Sequence, residues 1–87
     1  MIAAHFKRSA NNNMLPRIPK ILQDKASEMP EISYGATRVV LILKDGNKIE
    51  DVILAWGAEI VRIGDKKIAE DSDLEFSTQN IMDILSA

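Results

Sequence analysis

The sequence has no cysteine, one histidine, four aromatic residues and no apolar run longer than five residues. Each shortage closes off a class of function. Without cysteine there is no disulfide framework, no thiolate zinc site and no cysteine nucleophile. The only imidazole, His5, stands at the extreme N-terminus, so a triad in which imidazole is the base is not expected. The four glycines, at 35, 46, 57 and 64, are spread along the chain rather than clustered before a helix, which excludes a phosphate-cradling loop. Phe6, Tyr34, Trp56 and Phe76 are too few to form a row of stacking platforms for a single strand or a sugar. The longest apolar runs, Val39 to Leu43 and Val52 to Trp56, fall far below the ~20 residues that span a bilayer, and no membrane partner is expected.

What is present points to one small, sheet-rich domain. A chain of 87 residues buries roughly 60–65% of its unfolded surface, enough for a single core. Isoleucine occurs 12 times, against 7 leucines and 4 valines, and β-branched side chains with stiff χ1 favour strands. Charge is divided unevenly. Residues 1–25 hold five basic residues and one acidic, a balance of +4, while residues 26–87 hold six basic and twelve acidic, a balance of −6.

Residues 1–15 read as a flexible basic arm, with Asn11 to Asn13 favouring turns, and residues 16–87 as a single small domain. In the arm, Lys7 and Arg8 follow a few apolar residues, the reverse of a secretory leader, which sets a cytoplasmic expectation. Ile18, Ile21, Leu22, Ala26 and Met29 mark a helical stripe, with Pro19 suited to a first turn and Pro30 to a stop, so a helix is expected over 18–29. From 36 to 76 the glycines punctuate runs of Val, Ile and Leu at the spacing of an antiparallel meander. Asp45-Gly46 should turn strands 36–44 and 48–56 into a hairpin, through a type I′ turn or a G1 bulge. Ser77 has N-cap chemistry, and Ile81, Met82, Ile84 and Leu85 form a helical face, which predicts a second helix over 78–86. The expected class is α+β, mainly β: a bent meander of three to five strands, SH3-like or partly open, with a short helix at each end.

Functional expectation rests on two features. The two apolar runs do not alternate, so both faces of the hairpin ask for cover, and a chain this small has little to cover the second face with. Trp56 ends a strand before Gly57 and reads either as a core residue with its indole N–H bonded nearby or as an interface anchor, with Tyr34, Arg38 and Arg62 as companions on the binding surface. Arg38 and Arg62 are otherwise suited to cross-strand pairs with Glu50, Asp51 or Glu59. The acidic stretch Glu70, Asp71, Asp73, Glu75 imitates calcium-loop spacing only in part, since Phe76 stands where the loop needs glycine. The reading is therefore a non-catalytic protein-interaction or assembly module that self-associates as a homodimer, with no cofactor and no metal. An alternative is a nucleic-acid-binding accessory protein whose Lys7, Arg8, Arg17, Lys20 and Lys25 contact phosphates. A small enzyme is a third reading.

Overall fold

The computed structural model describes residues 15–87. The arm expected over 1–15 therefore lies, apart from Leu15, outside the described residues, and Lys7 and Arg8 lie there with it. The described chain forms helix α1 (Lys20–Ser27), then strands β1 (Ala36–Leu43), β2 (Lys48–Ala55), β3 (Glu59–Ile63), β4 (Lys66–Lys67) and β5 (Ile81–Ser86). All neighbours pair antiparallel in the order β4-β3-β2-β1-β5, giving one mainly β layer with a helix against it. No helix among the described residues is long and apolar enough to cross a membrane.

The helix begins where proline permits. Pro19 is the N-cap, and its carbonyl accepts from the N–H groups of Leu22 (2.9 Å) and Gln23 (3.2 Å). Leu22 and Ala26 face inward one turn apart and pack with Ile18 onto the sheet. The hairpin forms around Asp45-Gly46: the Gly46 N–H bonds the Leu43 carbonyl, the Leu43 N–H bonds the Asn47 carbonyl, and Gly46 takes φ 94°, the G1-bulge arrangement.

Strand alternation decides the core. Val39, Leu41 and Leu43 of β1, Val52 and Leu54 of β2, and Ile60 of β3 face α1 and are buried, joined by Ile68, Ile81 and Ile84. Of the other residues of the two apolar runs, Val40, Ile42, Ile53 and Ala55 lie on the opposite face and are half-buried, and Trp56 is exposed.

The C-terminal segment departs from expectation. The predicted helix over 78–86 is a single 3₁₀ turn (Thr78–Asn80) followed by β5. Ser77 does cap, its hydroxyl accepting the Gln79 N–H at 3.2 Å, but what it starts is one turn. The physical reason is a bulge. Leu43 pairs with Ile81 and Ile42 with Asp83, so Met82 is an extra residue. That insertion puts Ile81 and Ile84 on one face although they are three apart, the spacing a helix would also show.

Two carboxylates are held below their ordinary value of 3.8: Asp73 by the N–H groups of Ala69 and then Glu70, and Asp83 by the Lys25 ammonium and then the Ile84 N–H. A carboxyl depressed by folding adds stability above its unfolded pKa, and that contribution disappears as pH falls through the lower folded value. The midpoint of urea unfolding should therefore fall between about pH 5 and about pH 2. An Asp73→Asn, Asp83→Asn double variant should show a smaller fall over the same range, and an unchanged fall would assign the acid sensitivity elsewhere.

Candidate functional site

At the end of the β1–β2 hairpin away from Gly46, two tight turns stand side by side. Ser33 to Ala36 is closed by the Ala36 N–H on the Ser33 carbonyl (2.9 Å), with Gly35 at φ 76°. Ala55 to Ala58 is closed by the Ala58 N–H on the Ala55 carbonyl (3.1 Å), with Trp56 at φ 56° and Gly57 at φ 71°. The Trp56 N–H to Gly35 carbonyl bond, 2.7 Å, ties the turns together.

Each turn lifts an aromatic ring to its apex. Tyr34 and Trp56 meet edge to face, with centroids 5.3 Å apart and planes at 89°. They are 90% and 66% exposed, and Ile32 beside them is 51% exposed. The indole lies so close over Gly35 that a Cβ there would come within 2.9 Å of it. Positive φ for two central residues is the type I′ geometry, which suits Asn-Gly; a bulky side chain in that left-handed region costs roughly 1–2 kcal/mol. Trp56 is thus held exposed in a backbone conformation that its bulk disfavours.

Beside the indole is a half-open notch of about 140 Å³ lined by Ala26, Ser27, Met29, Glu31, Thr37, Trp56 and Gly57. Thr37 forms part of its lining. It is only 3% exposed, and its hydroxyl has no hydrogen-bond partner among the described residues. Leaving a buried hydroxyl unsatisfied costs about 1–3 kcal/mol. Sequence reasoning passed over Thr37 and Glu31. A signal for Thr37 was there: it shares the inward face of β1 with Val39, Leu41 and Leu43, the one polar residue in an apolar row.

The expected companions divide. Tyr34 and Trp56 are brought together, whereas Arg38 and Arg62 lie on the open sheet face in one cross-strand row, Arg38–Ile53–Arg62. Arg38 pairs with Asp51 at 3.2 Å, as cross-strand reasoning anticipates. Of the basic residues proposed for phosphates, Arg17 bonds Glu59 (3.2 Å) and Lys25 bonds Asp83 (2.8 Å), while Lys20 is exposed. In the acidic stretch, the Asp73 carboxylate accepts from the Ala69 and Glu70 N–H groups and so fastens its own turn.

The sheet edges differ from the aromatic end. The outer edge of β3 is taken by the chain itself: Ile18 bonds Ala58, Ile60 bonds Pro16, Ile68 bonds Val61, and β4 pairs with the rest. β4 is two exposed lysines long, a short and charged edge. Just past β5 the Ala87 N–H points to Arg38 of β1, and antiparallel alternation then turns the Ile84 N–H outward, where it bonds the Asp83 carboxylate at 2.8 Å. Lys25 grips the same oxygen, at 2.8 Å. Asp83 therefore blocks the long β5 edge, the one long edge among the described residues. An Asp83→Thr variant keeps strand propensity and removes the block, and its mass by light scattering should exceed that of the wild type at equal concentration. Equal masses would show that the edge needs no guard.

Compared with known proteins, the chain matches no family model, no curated protein and no solved structure.

Proposed function

We propose that the chain is a non-catalytic cytoplasmic module for protein interaction that self-associates as a homodimer, with the Tyr34–Trp56 pair as its contact surface. The observation that carries this reading is Trp56 itself, an exposed indole kept in a left-handed turn conformation at a cost in stability. Strained backbone positions cluster at functional sites. Tryptophan and tyrosine bring large contact area with little side-chain entropy to lose, which suits them to the centre of an interface. The open sheet face supports the same reading, since Val40, Ile42 and Ile53 there are only half-buried and Leu85 is exposed.

We read the meander as an SH3-like, partly open barrel. What supports this is the strand order, in which the last strand returns to pair with the first while the middle strands run as consecutive hairpins. The phosphate-contact reading has less support, because Arg17 and Lys25 already face carboxylates within the chain.

Light scattering at micromolar concentration tests the proposal: the mass should rise above the 9.7 kDa of one chain. A mass fixed at 9.7 kDa at every concentration ends the self-association reading.

A further inference from the structure

We infer that the notch beside Trp56 receives a single basic side chain, lysine or arginine, from the protein partner. This deepens the contact surface proposed above and rests on that reading. The notch has the size for one side chain, at about 140 Å³, and its lining specifies which kind. Glu31 supplies a carboxylate, Trp56 an aromatic wall, Met29 a polarisable thioether, and Thr37 a buried hydroxyl with no partner among the described residues. Ser27 does not compete, because its hydroxyl already donates to the Asp24 carbonyl at 2.7 Å. Among the described residues no basic side chain lines the notch. The nearest basic residue of the helix in sequence, Lys25, is engaged by Asp83.

Each lining group finds its counterpart in a basic side chain. The methylene stem lies against indole and thioether, as long cationic side chains do on apolar surface. The head carries only donors, so it can satisfy Thr37 as acceptor and Glu31 as counter-ion at once. Attraction of a cation to the indole adds to the ion pair. A neutral apolar side chain would fill the space and leave both Glu31 and Thr37 unanswered. An acidic one would meet Glu31 as a like charge.

The probes are Nα-acetyl-lysine amide, Nα-acetyl-arginine amide and the neutral Nα-acetyl-norleucine amide, titrated against the full chain. Trp56 emission and its indole N–H resonance are the readouts. At least one cationic probe should saturate, with norleucine about tenfold weaker, a difference of about 1.4 kcal/mol. Glu31→Gln on the exposed rim should weaken the cationic probe to a similar degree, and Thr37→Val should weaken it while the variant melts no lower than the wild type. The ratio of the two cationic probes identifies which head the notch prefers. Equal binding of norleucine, indifference to Glu31→Gln, or no saturation at Trp56 overturns the inference. Those failures are separable from failure of self-association: a chain fixed at 9.7 kDa that still selects the cation removes the homodimer and keeps the notch. An associating chain with no preference for the cation does the reverse.

Discussion

Replacing Trp56 by asparagine should abolish association and leave the fold as stable as before. The two effects have separate causes. In the left-handed turn position, Trp56 carries roughly 1–2 kcal/mol of backbone strain that asparagine, favoured before glycine in a type I′ turn, does not. Against that relief stands the lost edge-to-face contact with Tyr34, worth about 0.5–1.5 kcal/mol beyond area. The sum is close to zero, so the urea midpoint should move by less than about 1 kcal/mol equivalent. An indole at the centre of an interface is worth about 2 kcal/mol or more in binding, a loss of roughly 30-fold. The variant should run as a monomer under conditions where the wild type does not. A tryptophan with a purely structural role would give the opposite pattern, a destabilised chain whose association is unchanged wherever it remains folded.

The largest loss of stability should come from Ile84→Ala. Ile84 is fully buried on β5, paired with Leu41 at the centre of β1. Truncating it removes transfer free energy and leaves a cavity, costing about 2–5 kcal/mol. For a domain of this size that is a large part of a total near 5–15 kcal/mol, and the melting temperature should fall by roughly 10–30 °C. The neighbouring Met82→Ala is the control. Met82 is 56% exposed at the bulge, and its truncation should cost less than about 0.5 kcal/mol. Were 78–86 a helix with Ile81, Met82, Ile84 and Leu85 on one face, Met82 and Ile84 would respond alike; thermal melts of the two variants decide between strand and helix.

That contrast also explains which parts of the fold could be read ahead of the structure. The hairpin was legible because Asp45-Gly46 encodes its turn locally, and α1 because Pro19, Leu22 and Ala26 combine a start signal with a stripe. β5 was not, because a bulge at Met82 gives strand residues the three-residue spacing of a helix, and only the pairing with β1 separates the two. The expected second helix thus gave way to a tertiary partner, as short ambiguous apolar runs do. At the candidate site, Trp56 and Tyr34 stand out in sequence as the only Trp and Tyr, each followed by glycine. Their meeting depends on two turns 22 positions apart lying side by side, which follows only from the β1–β2 register. Arg38 and Arg62 stand apart from that pair because alternation along β1 and β3 sends those arginines to the open face. Thr37 shows the converse: its place in an apolar row is visible in sequence, while the lack of a partner for its hydroxyl among the described residues is visible only once the surrounding side chains are placed.

Because Trp56 is the single tryptophan, its fluorescence reports on the contact surface alone. The most direct measurement follows its emission maximum as the chain is concentrated, with mass read in parallel by light scattering. Emission typical of a hydrated indole should hold while the mass is 9.7 kDa and shift to shorter wavelength as the mass rises, the two curves sharing one midpoint. A mass that rises while the emission stays that of an exposed indole would place the interface elsewhere and contradict the assignment of Tyr34 and Trp56.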